Sequence, residues 1–546
     1  MDKKTKGADI VKAYNKLKTT REPLNKTWAD CYKFSYPMRG KGLSDESFGI
    51  DSFTNAKTDK SNLLDSTATD AIRLLSSSIL SAITPSNVRW FGLQLPAPEA
   101  SEAEATANQH DIQVWLDKAA GRCHLAVHGS NYDSQALEFF IDIAIAGTSP
   151  MFIEIRDRKL HFETWNLQSV YGADTARNGM IDTVYKHCMV TPAEAVKKGF
   201  KLPEAVKQEF EEDPYSQKTF EFIYCIRPRY EDMKKAGWLK SNMPYESTYV
   251  FVPTGEIVYE SGFQEFPVIM PRWMRVPDTD FATGPMLDAL PDMKTLNAVV
   301  DNMLKNTEMK VMGMYAYVDD GILNPSKVQF GPGKWLPVGD MNNIPRPIAQ
   351  GGDINFAINE IVRLQTQIQK TLLANQLSPT EKVNMTAAEV YQRSNMLRQV
   401  LGPVFARLQS EFLQPLITRV FGLLLRDGQL GDIPEGLGEG VNIEYTSPLA
   451  RAQRSSEIQA IIEFEGMVQP WIEFSPEILD NYDKDKATQM KARYLSVPAE
   501  LIVDPKDVER IRKERAEQQQ AAQQQAAQQQ AMMQGAQSAQ GGKPPQ

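Results

Sequence analysis

GPMLDALPDMKTLNAVVDNMLKNTEMKVM, residues 284–312, and DINFAINEIVRLQTQIQKTLLAN, residues 353–375, are the two stretches whose pairing decides how this chain folds. In the first, Met286, Leu290, Met293, Leu296, Val300, Met303 and Leu304 recur at helical spacing, with Pro291 expected to kink or restart the helix. In the second, Asp353 stands as N-cap. Ile354, Ile358, Ile361, Ile368 and Leu372 share one face, Asn355, Asn359, Arg363, Thr366 and Lys370 the other, and the helix is expected to end near Asn375. Between them, Tyr315 to Val318 and Val328 to Val338 have strand character broken by Asp320-Gly321, Gly331-Pro332-Gly333 and Pro337. The pattern is helix, small β unit, helix, and its apolar stripes are too extensive for one hairpin to hide.

Working outward, a loop at Gln376 to Met385 leads to a helical pattern of 41 residues, Thr386 to Arg426, about 60 Å long if straight. Thr386 and Glu389 form a capping box, Pro403 and Pro415 predict kinks, and Gly428 stops it. Arg451 to Gly466, Pro476 to Tyr494 and Asp507 to Glu517 follow as shorter helices. From Gln518 the chain repeats Gln-Gln-Gln-Ala-Ala with a period of five, a low-complexity tail that cannot bury a core.

On the N-terminal side, Ile10 to Tyr36, Asn62 to Ile83 and Asp111 to Ala146 read as helices, with a short strand near Trp90 to Leu95. From Phe152 to Ile269 the period changes to two. Candidate strands are Phe152 to Ile155, Leu160 to Trp165, Ile181 to Val190, Phe220 to Ile226, Tyr249 to Val252 and Ile257 to Tyr259. A helix, Pro192 to Phe210, interrupts them behind the capping box Thr191/Glu194. The expectation is an α+β fold, mainly helical, with a β-barrel-like or sandwich block.

Composition narrows the function classes. A 546-residue chain that is 42% hydrophobic and 24% charged is globular, with length for three or four structural units. A net charge of −9 argues against a surface that clamps nucleic acid throughout, so any such contact is local. Cys31, Cys123, Cys188 and Cys225 form no C-x-x-C pair, so reduced, cytoplasmic thiols are expected. No stretch approaches the apolar length of a membrane span; the most apolar run, Leu416 to Leu425, is interrupted by Arg419.

Motifs for catalysis are missing. Gly331-Pro332-Gly333-Lys334-Trp335 lacks the Ser or Thr and the glycine spacing of a phosphate-cradling loop. His124 and His128 beside Cys123 supply too few ligands for a metal and read as a helix face. Ser130 and Ser149 sit in no nucleophile elbow, and Asp480, Asp483 and Asp485 lack the turn glycine and closing Glu of a calcium loop. No catalytic, cofactor or metal site is expected.

The order of elements resembles the portal, or head-to-tail connector, proteins of short-tailed podophages, and so do local strings. These are Tyr14 to Pro37; Leu64-Asp65-Ser66 through Pro96; Pro271-Arg272-Trp273; Gly284-Pro285 with Leu290 to Asn297; and Met385 to Val390. The turn before the first quoted helix departs from the family's aromatic-Gly-Arg-Gly-Pro, reading Phe281-Ala282-Thr283-Gly284-Pro285. The resemblance implies a wing at 1–283, stem helices at 284–312 and 353–375, and a clip at 313–352. It further implies a tunnel loop at 376–385, a long wing helix at 386–428, a crown at 429–517 and a disordered tail at 518–546. It implies a homo-oligomeric ring of about twelve subunits in the virion, at the head–tail junction, assembled in the host cytoplasm. The implied partners are the large terminase subunit, a tail adaptor, scaffold and major capsid proteins, and double-stranded DNA in the channel; no membrane is involved. Arg363, Lys370 and Lys382 become channel residues, or else plain solvated charges. Tyr315, Tyr317, Lys334 and Trp335 become clip residues, the aromatic ones serving either as interface anchors or as the core of the small β unit. Two other classes compete: a multidomain hydrolase with a scattered active site, and a non-viral scaffold or adaptor associating through its Gln-rich tail.

Overall fold

Strand residues Phe220–Pro228, FEFIYCIRP, carry apolar side chains on both faces, which requires cover on both sides of any sheet they enter. In the computed structural model this strand, β6, is the centre of an antiparallel meander. Its order is β4 (Val170–Ala173), β5 (Thr183–Val190), β6, β7 (Tyr245–Phe251) and β8 (Glu256–Phe263). Ile223 and Cys225 face one way, onto Ile10 and Tyr14 of helix α1 (Lys3–Lys33). On the other face, Tyr224 and Ile226 pack with Phe152, Trp165 and Val268, and Phe222 packs with Ala195, Phe200 and Val206. The model describes residues 3–40, 63–94, 109–229, 242–312, 315–316, 346–347, 354–377, 402, 404–434, 442–445, 460–469, 482–494, 501, 503, 507–508 and 510–522.

The sheet is open, correcting the barrel-like expectation: among the described residues β4 and β8 are edges and no barrel closes. Closure is unnecessary because α1 covers one face. A second sheet of β3 (Lys159–Thr164), β2 (Met151–Arg156) and β9 (Val268–Ile269) supplies cover on the other. The helical insertion is two helices, α5 (Pro192–Lys197) and α6 (Glu204–Glu212), separated by Gly199 at φ 71° and by Pro203. The capping box is present: Thr191 Oγ1 accepts from the Glu194 amide at 3.4 Å and the Glu194 carboxylate accepts from the Thr191 amide at 3.3 Å.

Arg21 locks α1 onto this sheet. It is 2% exposed and donates to the carbonyls of Leu167 (3.1 Å), Gln168 (2.8 Å) and Val170, with its guanidinium 3.6 Å from the Tyr171 ring centre. Burial pulls its pKa down to about 10.

Two compact units divide the chain, residues 1–86 with 125–429 and residues 87–124 with 430–546. The first holds both sheets and helices α1, α2 (Thr67–Ile83), α4 (Tyr132–Ala146), α7 (Pro285–Met312) and α8 (Ile354–Thr371). The expected helix Asp111 to Ala146 is two, α3 (Gln109–His128) and α4, parted by Gly129-Ser130-Asn131. In the second unit β1 (Phe91–Gln94) pairs antiparallel with β10 (Asn442–Tyr445). Its C-terminal helices at 460–469, Lys484–Tyr494 and 510–522 are tied by ion pairs, Glu465 with Lys491, half-buried, and Asp485 with Arg512, exposed. Asp483 accepts from the amides of Asp485 and Lys486, capping the helix that follows.

Candidate functional site: the helix pair and its root

Two glycines set the root of the pair. Gly147 ends α4 at φ 84°, and its carbonyl accepts from the Trp273 amide at 2.7 Å. A Cβ built on Gly284, one residue before α7, would lie 2.7 Å from the Gly147 nitrogen and 2.8 Å from the carbonyl oxygens of Ile143 and Ala144. One built on Gly147 would lie 2.2 Å from the Thr283 carbonyl carbon, so the two backbones cross with no room for side chains.

Beside this crossing Arg272, 1% exposed, clamps Glu411: its amide and Nε reach one carboxylate oxygen at 3.0 and 3.1 Å, and Nη2 reaches the other at 3.1 Å. Glu411 is presented by a π-helical turn, Gln409–Leu413, in which the Gln414 amide bonds the Gln409 carbonyl just ahead of Pro415. The kink expected at Pro415 is thus an extra residue in the helix, which resumes as Gln414–Arg426. Phe412 of the same turn packs on Phe139 and Phe140 of α4, with ring centres 5.1 and 5.5 Å apart. One turn on, Arg419 is buried against Glu265 at 2.9 Å, and burial lowers its pKa. A cavity of about 380 Å³ adjoins the π turn, lined by Ile181, Tyr245, Phe266, Glu411 and Pro415 among others.

Three strings read separately in the sequence meet here. The Leu64 amide donates to Asn297 Oδ1 at 3.0 Å, and Gln365 of α8 donates to Asp65 Oδ2 at 2.8 Å. Asp65 Oδ1 also accepts from the Thr67 amide at 2.8 Å, at the start of α2. Leu64-Asp65-Ser66 therefore ties α7, α8 and α2 together. Met286, Ala289, Leu290, Met293, Leu296 and Val300 of α7 and Leu364, Ile368 and Leu372 of the second helix are buried at this end.

The other end of the pair is bare. Leu304 is 49% exposed, Phe356 74%, Ile358 45% and Val362 55%. Ile358, assigned to the inward face by its spacing, points out, and Leu364 takes its place in the buried stripe with Ile368 and Leu372. The cause is that α2 meets α8 around Gln365, beyond the exposed residues.

Arg363 and Lys370 are exposed and seven residues apart on α8, in line with Phe356. Arg363 makes a two-pronged contact with Glu360 at 2.6 and 2.9 Å, which raises the guanidinium's pKa and lowers the carboxyl's. No acidic partner of Lys370 is recorded among the described residues. Tyr315 begins a strand pair, Tyr315–Ala316 with Arg346–Pro347, in register Tyr315↔Pro347. Tyr317, Lys334, Trp335 and Lys382 lie outside the described residues, as do Val328 to Val338 and Met385 to Val390. Sequence reasoning missed Arg272, Glu411 and Asp65 as structural anchors; Asp65 immediately before a helical stripe was the one local signal.

The family described as bacteriophage head to tail connecting protein matches residues 8–503. A probable portal protein of Bordetella phage BPP-1 is 26% identical over 538 residues, covering 94% of this chain and 92% of the relative. The portal protein of Salmonella phage epsilon15 is 28% identical over 534 residues, covering 92% and 90%. A chain from the virion of a native gene transfer agent particle aligns with 73% of this chain and 90% of its own length, at 10% identity and a TM-score of 0.33.

Proposed function

We propose, from the premise that this chain belongs to the bacteriophage head to tail connecting protein family, the full working arrangement of a viral portal protein. The protein is a portal, a component of the phage particle at the junction of head and tail. In the proposed arrangement about twelve copies close a ring at one capsid vertex. Residues 1–283 form the wing, 284–312 and 353–375 the stem, 313–352 the clip, 376–385 the tunnel loop, 386–428 the long wing helix, 429–517 the crown and 518–546 the tail. The clip, with Tyr315, Tyr317, Lys334 and Trp335, docks the large terminase subunit during packaging and a tail adaptor afterwards. Scaffold and major capsid proteins surround the ring, which assembles in the host cytoplasm. Double-stranded DNA passes along a bore to which Arg363, Lys370 and Lys382 contribute charge. The ring performs no catalysis of its own; the motor supplies ATP hydrolysis.

The observation that carries the ring is the contrast along one helix pair: the inner half is buried, while Leu304, Phe356, Ile358 and Val362 stand in solvent on the outer half. Exposed apolar side chains grouped on a helix mark a surface made for contact, and in the proposed ring the contact is another copy. Electrostatics fit a bore that guides DNA without gripping it. Arg363 is paired with Glu360, so its charge is partly offset, and sequence-independent phosphate contacts of this kind let protein and DNA slide past one another. Native mass spectrometry and negative-stain imaging of the purified chain test this reading. Closed rings of about twelve are expected. A uniformly monomeric species at micromolar concentration across ionic strengths overturns it.

A further inference from the structure

Three arginines are buried among the described residues, Arg21, Arg272 and Arg419, and two of them lie on a carboxylate. Glu411 holds Arg272, and Glu265 holds Arg419. No carboxylate among the described residues pairs with Arg21. Its guanidinium bonds the carbonyls of Leu167, Gln168 and Val170 and lies over the Tyr171 ring. A buried cation without an anion carries a desolvation cost that neutral dipoles offset only in part. Desolvation accordingly draws its pKa down to about 10, with the Tyr171 and Tyr14 phenols opposing it.

The same face of α1 carries a second irregularity. Arg21, Asn25 and Trp28 stand at i, i+4 and i+7, one above another along the helix, and the Arg21 guanidinium carbon lies 5.7 Å from the Trp28 ring centre. In each of the three a buried polar atom has no hydrogen-bond partner among the described residues: Arg21 Nε, Asn25 Oδ1 and Trp28 Nε1. Nε and Nε1 are donors, and rotation about one bond exchanges Asn25 Oδ1 for the donor Nδ2. Orphaned groups clustered in an interior point to a bound species. The donors define its kind. Carboxylates and phosphates take a guanidinium by two parallel N–H groups, whereas here Nη1 and Nη2 are already committed to carbonyls. A spherical ion that accepts single N–H bonds fits what is left. A water molecule would accept the same bonds but leave the charge of Arg21 unopposed.

We propose that Arg21 Nε, Trp28 Nε1 and the Asn25 carboxamide form a buried receptor for one monovalent halide ion such as chloride, beside the start of β4. The ion does for Arg21 what Glu411 does for Arg272 and Glu265 for Arg419. It makes the seal between α1 and the meander depend on the anion in the medium. The proposal rests on contacts within one protomer and is independent of ring size or of the portal reading.

Thermal melting of the full-length protein at fixed ionic strength, with chloride replaced stepwise by gluconate, tests it. An ion bound only by the folded chain multiplies the folding constant, by up to about tenfold for each tenfold rise in chloride above its Kd, so the wild-type Tm is expected to climb with chloride. Trp28→Phe keeps an aromatic ring and removes one donor. It is expected to weaken the apparent chloride affinity about tenfold. Crystals of the wild-type protein grown in bromide locate the ion by anomalous scattering, expected against Trp28 Nε1. A wild-type Tm indifferent to chloride, an identical chloride dependence in Trp28→Phe, or a water in place of bromide beside Trp28 each overturns the proposal.

Discussion

The two ends of the α7–α8 pair are made from the same kinds of side chain and have opposite fates. At the root, leucines and methionines are buried, the backbones of Gly147 and Gly284 touch, and Arg272 and Glu411 neutralise one another out of solvent. At the outer end Leu304, Phe356, Ile358 and Val362 are exposed, and the ion pairs Asp301–Lys305 and Glu360–Arg363 face water. One end is complete as a protomer. The other is completed, in the proposed ring, by a neighbouring copy, so damage to the two ends should appear in different measurements.

The largest loss of protomer stability is expected from breaking the root clamp. Arg272→Ala removes both guanidinium contacts and leaves the largely buried Glu411 only the residue 272 amide and Arg407 at 4.0 Å, a change worth up to about 3–5 kcal/mol. Urea unfolding monitored by circular dichroism checks it; an effect under about 1 kcal/mol would mean that water already screens the pair. Gly284→Ala comes next. Its Cβ meets only backbone atoms, which cannot swing aside, and about 1–3 kcal/mol of overpacking is expected from the same measurement.

Moving outward, the triple change Phe356→Ser, Ile358→Ser and Val362→Ser should leave the monomer within about 0.5 kcal/mol of wild type per site while depleting rings in native mass spectrometry. Rings persisting unchanged would move the interface off α8. The smallest effect belongs to Arg363→Gln, for which no measurable shift in Tm is expected at neutral pH. The Arg363 guanidinium holds the Glu360 carboxyl below its ordinary 4.5. Whatever the pair contributes is present above that value and fades as pH falls through the lowered one. A melting curve at neutral pH that drops by several degrees would show the pair to be sheltered by a neighbouring copy.

Much of this contrast was legible in residue order because it depends on local periods. Alternation marked six of the strands of the β-rich block, Thr191 and Glu194 marked a helix start, and the stripe from Met286 to Val300 marked the buried face of α7. What depended on distant partners was not legible. Whether the meander closes is decided by α1 and the β3-β2-β9 sheet competing for its faces. Pro415 announced a kink but not the additional residue of a π turn, which needs Glu411 to find Arg272. Arg419 looked like a charge interrupting an apolar run; it is 3% exposed, because Glu265, 154 residues earlier, waits for it. Of the site residues named from sequence, Arg363 and Lys370 lie on the exposed side of their helix as the 3.6-residue period required.

Arg21 has a consequence in time. The carbonyls it needs belong to residues 146 to 149 positions further along the chain. At about 5–20 residues per second of synthesis, about 7–30 s pass between the emergence of the first helix and that of its counterpart. Throughout that interval Ile10 and Tyr14 have no sheet to cover them. The N-terminal helix is therefore a part of the nascent polypeptide that a holding chaperone would serve, the first to be made and uncovered until its sheet follows.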